Sequence, residues 1–264
     1  MDYNLAFSSS GILIGAHIGV LAYLQDRDIK IKNYSGTSGG AVVATWAANN
    51  LDARDLLRLI VQFGYIEYFV RPSLSIGGFF DSSNFGKIIS SYCKPKKNLW
   101  VVTFNVLKMQ KEIWNGENFN LSKILTATTC IPGLFKPVIY SNGLHIDGIF
   151  GKYCPDDLWN FGTTISAQIQ SNKKKYSRYA FDDFVNKIEN VSLSFLKKRQ
   201  NNLLKTNLVD LSINVSSLSQ LDLFAVKAED HIELFKIGYN CADQVFSNLS
   251  NEVAVGAGCN QSYS

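Results

Sequence analysis

Apolar and polar positions fall into alternating blocks along the first half of the chain. Residues 3–7 form a short apolar run that predicts a strand, and 15–26 follow as a helix that is apolar on nearly every face. Residues 29–34 predict a second strand and 40–49 a second helix. This β-loop-α-β-turn-α order is the signature of an α/β fold, a sheet with helices on its faces. Residues 51–63 carry apolar side chains at helical period, as an amphipathic helix does. Residues 77–90 read as a loop closed by an N-cap, Asp81 or Ser82, with a helix behind it. The runs 99–104 and 112–114 predict a hairpin, 122–129 a helix and 143–149 a strand.

After about residue 160 the texture changes. The lysine-rich stretch 171–178 reads as a surface loop, followed by a further helix, a strand over 207–215 and a long helix over 229–248. No repeat and no linker divides the sequence, so one domain over 1–264 is expected.

Composition narrows the class. A chain of 264 residues that is 46% hydrophobic can bury a large core, and 17 phenylalanines and four tryptophans argue against disorder. The net charge of +4 is small and dispersed, which excludes a nucleic-acid-binding protein; the basic clusters at 94–97, 173–175 and 197–199 read as solvated surface. Five cysteines are an odd number without metal-ligand spacing, so neither a disulfide framework nor a metal is expected, and no cofactor motif is present. A reducing compartment fits. Asp2 stands where a secretory signal would be basic, and His17 interrupts the first apolar helix; a cytoplasmic or peripheral membrane location is expected, with export by another route open. Gly11, Gly15 and Gly19 share the spacing of membrane-helix dimers. Their apolar stretch is nonetheless shorter than the roughly 20 residues that span a bilayer. The helix is therefore expected to be buried and packed closely on the sheet.

The candidate chemistry lies between the second strand and the second helix. Gly36-Thr37-Ser38-Gly39-Gly40 is a G-x-S-x-G turn in a strand-turn-helix context, which makes Ser38 a candidate nucleophile. Small neighbours let the backbone turn sharply and a substrate approach, and the helix behind Ser38 points unpaired N–H groups at developing negative charge. Three histidines could serve as its base: His17, His145 and His231. The order Ser38, Asp147, His231 matches an α/β-hydrolase, but His231 sits in the acidic first turn of an amphipathic helix and reads as a surface residue. Asp147 ends an apolar strand and precedes Gly148; from local sequence it is a turn-former or a functional carboxylate with equal weight.

Four ordered motifs resemble the patatin-like phospholipase family. Residues 9–21 are similar to its glycine-rich oxyanion loop and first helix, and 36–40 to its nucleophile elbow. Residues 127–138, with Ile131-Pro132 and Phe135-Lys136-Pro137-Val138, resemble a segment that packs beneath the active site; Asp147-Gly148 with Pro155 forms the fourth match. The resemblance covers about 4–155 well and 207–248 weakly. It implies a three-layer patatin-like fold, with a mostly parallel central sheet between helices. It implies a lipid acyl hydrolase, phospholipase A-like, working through a Ser38–Asp147 dyad and an acyl-enzyme without histidine. Gly36, Gly40 and Gly148 would support the two groups. Backbone donors near Ser10, Gly11 and Ile12 and at Gly39 would form the oxyanion hole.

The loop departs from the family pattern. Ser9 and Ser10 replace two of three consecutive glycines, Leu13 stands at a basic position and Ile14 at a glycine; Lys152 and Tyr153 occupy the region of a usual asparagine. A non-glycine residue forced to positive φ would cost about 1–2 kcal/mol. Two function classes follow: an active hydrolase on phospholipid or other fatty-acyl esters at a membrane surface, with or without an activating protein, and a weakened patatin-like lipid-binding or interaction protein. A histidine-assisted hydrolase is a third. His17 is expected to pack or hydrogen-bond at its helix start, and His145 to line the site. The aromatic-rich residues 63–80 read either as a lipid-contacting flap or as a helix-loop-helix cap.

Overall fold

The computed structural model describes residues 2–63, 71–73, 78–170, 208–215 and 226–258. The lysine-rich 171–178, the helix expected behind it and most of the flap or cap at 63–80 lie outside them. The strands are β1 (Tyr3–Phe7), β2 (Ile31–Thr37), β3 (Arg71–Pro72), β4 (Gly78–Asp81), β5 (Leu99–Asn105), β6 (Gln110–Asn115), β7 (Gly133–Phe135), β8 (Val138–Tyr140), β9 (Gly143–Ile146), β10 (Thr163–Gln170) and β11 (Leu208–Asn214). The helices are α1 (Ile14–Asp26), α2 (Gly39–Ala48), α3 (Ala53–Phe63), α4 (Ser83–Tyr92), α5 (Leu121–Thr128) and α6 (Ala228–Gly258).

Eight of these strands form one sheet in the order β11-β10-β1-β2-β5-β9-β8, with β6 hydrogen-bonded along β5. β11, β10, β1, β2 and β5 run parallel, while β6, β8 and β9 add antiparallel pairs at one end. A mostly parallel sheet flanked by helices is the expected α/β architecture. Its central strands are buried on both faces, as parallel sheets require. From β1, Leu5 and Phe7 enter the main core with Ile14 and Ile18 of α1 and Val42 and Val43 of α2. Ala6 faces the other way, onto Cys154 and Trp159.

Several boundaries differ from the sequence reading. The second strand runs to Thr37 rather than Tyr34, because Ser35 and Gly36 find partners on both sides, Ala6 and Phe7 of β1 and Trp100 and Val101 of β5. The expected loop at 77–90 contains β4, which pairs with β3 and β7 in a small second sheet. Asp81 is the residue that caps α4: its carboxylate accepts from the Ser83 N–H at 2.8 Å, while Ser82 makes no cap bond. β10 was absent from the expectation, yet it lies beside β1, second from one edge of the sheet.

The glycine spacing on α1 serves helix-to-helix contact rather than contact with the sheet. A side chain at Gly15 or Gly19 would strike the backbone of His231 or Phe235 on α6, and one at Gly238 would strike Ala16. The absence of side chains lets the two helices approach backbone to backbone. No helix among the described residues is long and apolar enough to cross a membrane.

Candidate functional site

The parallel strands β1 and β2 end side by side, and the segments leaving their carboxyl ends build the site. Such strand ends are where ligands bind in open α/β sheets. β2 leads directly into Ser38, whose φ of 55° and ψ of −128° form a sharp elbow before α2 begins at Gly39. Holding a serine in this region costs about 1–3 kcal/mol, so the surroundings must impose it. They do so partly through Thr128 at the end of α5. The Ser38 N–H donates to Thr128 Oγ1 at 2.9 Å, and that hydroxyl donates to the Val102 carbonyl at 2.5 Å. The elbow also needs close backbone approach: a Cβ on Gly36 would collide with Gly40 and Ala41, and one on Gly40 with the carbonyl of Ser8.

Asp147 follows β9 and meets Ser38 across 109 residues of sequence. Ser38 Oγ lies 2.8 Å from Asp147 Oδ2. The other oxygen, Oδ1, accepts from the Ile149 N–H at 2.9 Å and so caps the 3-10 turn Gly148–Phe150, while the Asp147 N–H donates to the Cys130 carbonyl at 2.8 Å. The side chain is thus both a turn-former and a partner of Ser38. Both residues are buried, Ser38 at 5% and Asp147 at 2% exposure. Gly148 fits because its Cα faces the Val102 carbonyl and the Thr37 methyl group without room for a side chain. Burial, followed by the charges of Asp147 and Asp81, pushes the neighbouring Cys130 thiol upward and keeps it protonated.

The loop after β1 lies against the elbow. Gly39 packs so closely on Ser10 and Gly11 that a Cβ there would meet the Ser10 hydroxyl and the Gly11 backbone. Within 8–13 the left-handed region is occupied by Gly11 alone, at φ 51°. Ser9 and Ser10 therefore carry none of the strain that replacing glycines implied. The cleft is lined by Ser9, Gly11, Ser38, Ile131, Asp147, Ile149 and Phe150, so Gly11 borders it while Ser10 and Ile12 do not. Its volume of about 20 Å³ holds about one water molecule.

A second anchor was invisible in the sequence. Segment 151–157 runs under the site on the face opposite α1 and α2, joining three of its parts. The Thr37 hydroxyl donates to the Lys152 carbonyl at 2.8 Å, the Ser9 N–H to the Tyr153 carbonyl at 2.8 Å, and the Lys152 N–H to the Gly148 carbonyl at 2.9 Å. The buried Lys152 ammonium lies 3.5 Å from Asp156 and 3.3 Å from Asp157.

No histidine borders the cleft. His17 is buried at the start of α1 with Nε2 3.0 Å from the Ser8 carbonyl, bonding at the helix start as expected, and burial lowers its pKa to about 4 against the raising effect of that bond. His145 is buried instead among Thr103, Tyr140 and Trp114, with Nδ1 3.1 Å from Thr103 Oγ1. His231 is not a surface residue: it is 2% exposed, packed on Gly15 of α1, with burial lowering its pKa. Its acidic neighbours Glu229 and Asp230 disguised an inward-facing position. Among the described residues no group of His, Cys, Asp and Glu could hold a metal ion.

Comparison with known proteins gives the family and the fold. Residues 5–152 match the family model described as patatin-like phospholipase, a span that includes Ser38, Asp147 and the loop after β1. A protein of Invertebrate iridescent virus 6 called "Probable lipid hydrolase 463L" is 23% identical over 199 residues, 66% of this chain and 67% of that protein. The crystal structure of VipD from Legionella pneumophila superimposes with a TM-score of 0.63 at 12% identity, covering 94% of this chain. The chain spans 66% of VipD.

Proposed function

The chain belongs to the patatin-like phospholipase family, a family of lipid acyl hydrolases, and from that premise we propose that it cleaves fatty-acyl esters, phospholipids among them, with Ser38 as nucleophile and Asp147 as its base. The observation that carries the reading is the 2.8 Å contact between Ser38 Oγ and Asp147 Oδ2 in a buried cleft without a histidine. As Ser38 Oγ attacks the ester carbonyl carbon, its proton passes to Asp147 Oδ2 and the carbonyl electrons move to oxygen. In this reading the N–H groups at the start of α2 and at Gly11 receive that oxyanion, and the dipole of α2 favours its charge. Collapse of the intermediate breaks the ester C–O bond, Asp147 returns the proton to the departing alcohol, and the acyl group stays on Ser38. A water then repeats the sequence, with Asp147 taking its proton and Ser38 leaving protonated as the fatty acid departs.

An ordinary carboxylate, with a pKa near 4, is a weak base toward a hydroxyl. Contact distance, exclusion of water and preorganised donors supply what basicity does not. The test is a fluorophosphonate probe and a panel of phospholipids offered to the wild-type chain, Ser38→Ala and Asp147→Asn. Wild type should label and release fatty acid, and both variants should fail to turn over. Absence of labelling and of fatty-acid release by the wild type with lipid vesicles present would replace this reading by that of a lipid-binding protein.

A further inference from the structure

A cleft with room for one water cannot itself gather a long acyl chain from solution, so the substrate must reach it from an apolar surface. The exposed apolar side chains are concentrated where such a surface would meet the cleft. Of the nine large hydrophobic residues exposed among the described residues, Phe79, Leu107, Met109, Ile113 and Ile139 lie on β4, on the β5–β6 hairpin and on β8. Leu107, Met109 and Ile139 are 70%, 69% and 76% exposed. Scattered exposed apolar residues mean nothing, whereas a contiguous group marks a contact surface.

The segments that carry the group meet in one small core. Phe80, Phe104 and Val106, the neighbours in sequence or strand of the exposed residues, pack with Ile131 and Phe150 on Cys130, Leu134, Phe135 and Ile146. Ile131 and Phe150 line the cleft. Strand register fixes the direction of the rest: Phe104 pairs with both Ile146 and Lys111, and Ile139 pairs with Leu144, two residues from Ile146. Since side chains alternate along a strand, Ile139, Lys111 and, two residues from Lys111, Ile113 share the face that carries Phe104 and Ile146. The backbone at Gly151, next to Phe150, touches Lys111.

The charge around these residues is basic on balance. Lys108, Lys111 and Lys136 are exposed on or beside these segments, against two carboxylates, Glu112, which pairs with Lys108 at 2.7 Å, and Asp81, which lies in the field of Lys136. Apolar tips ringed by lysines suit an anionic lipid bilayer, the tips entering the acyl region and the ammonium groups meeting phosphates. We propose that this rim, centred on the β5–β6 turn, is the surface by which the protein docks on anionic membranes with its cleft facing the lipid. The choice of occupant rests on the lipid-ester reading above, but docking is measurable without turnover.

The experiment uses the full chain carrying Ser38→Ala, co-sedimented with vesicles of phosphatidylcholine alone or mixed with phosphatidylserine. The parent should partition onto the mixed vesicles, less so as salt rises. Leu107→Ser combined with Met109→Asn, the asparagine chosen because position 109 has φ 52°, should lower that partition by at least about tenfold. Lys108→Gln, Lys111→Gln and Lys136→Gln together should abolish the excess for anionic over neutral vesicles. Leu208→Ser, at an exposed apolar site on β11 outside the rim, should bind as the parent does, and thermal melts should show each variant folded. A parent that does not sediment, as expected if a protein rather than a bilayer covers the rim, or a folded tip variant that binds like the parent, overturns the proposal. Binding that is intact while the chain with Ser38 restored shows no turnover would overturn the hydrolase reading and leave the docking surface standing.

Discussion

The two oxygens of Asp147 do different work, and Asp147→Asn separates them. Oδ2 accepts from Ser38, whereas Oδ1 accepts from Ile149 N–H and caps the turn that follows. Asparagine can keep its carbonyl oxygen on Ile149, placing an NH2 group where Oδ2 was. Ser38 then faces a donor that cannot take its proton, and a positioned general base is worth about 10²–10⁴ in rate. Fold stability should change by less than about 1 kcal/mol, or about 2–4 °C in Tm for a chain of this size. Asp147→Ala removes the cap as well and should lose a further 0.5–2 kcal/mol or so. The assay is kcat on a phospholipid or short-chain ester beside a thermal melt of each variant. The reasoning fails if Asp147→Asn keeps more than about a tenth of wild-type kcat, or if its loss of activity comes with unfolding equal to that of Asp147→Ala.

Three further outcomes are expected. Thr128→Val, nearly isosteric, leaves the Ser38 N–H and the Val102 carbonyl without their shared hydroxyl; each buried orphan costs about 1–3 kcal/mol, and a displaced elbow should lower kcat about 100-fold, read by urea melts and kinetics. Lys152→Met leaves Asp156 and Asp157 without their buried cation and should cost about 3–5 kcal/mol in denaturant unfolding, with Lys152→Arg recovering part of it. His17, with its folded pKa lowered to about 4 by burial, is neutral in the native state while the unfolded chain takes up a proton near pH 6.5. Stability from this group is therefore complete above about pH 6.5 and falls by about 3 kcal/mol as pH drops toward 4; unfolding of His17→Gln should lack that slope.

The elbow was legible because a tight strand-to-helix turn admits few residue types, whereas Asp147 at its strand end read equally as a turn-former, and only the family resemblance singled it out. β10 was not legible. Its sequence, Thr-Thr-Ile-Ser-Ala-Gln-Ile-Gln, reads as polar, yet Ser166 is buried with its hydroxyl donating to Asp156, a partner only the folded chain provides. Thr128 fell within the segment 127–138 that carried the resemblance, but its bond to Ser38 spans 90 positions and leaves no local mark. The same holds for His231, which is buried because glycines on α1 leave space for α6.

The position of β10 also decides when in synthesis the site can exist. Both Ser38 and Asp147 leave the ribosome before Thr163, but the loop beside Ser38 is tied from β10: the Ser8 N–H donates to the Ala167 carbonyl at 3.0 Å, and the Ser8 hydroxyl accepts from the Ile169 N–H at 3.2 Å. Until that late strand arrives, one edge of β1 is bare, and closing it requires a contact about 160 residues apart in sequence. A nascent or prematurely terminated chain ending before β10 thus holds Ser38 and Asp147 but not the anchored loop beside them. By the order of the strands, the loop beside Ser38 is anchored only once synthesis is well advanced.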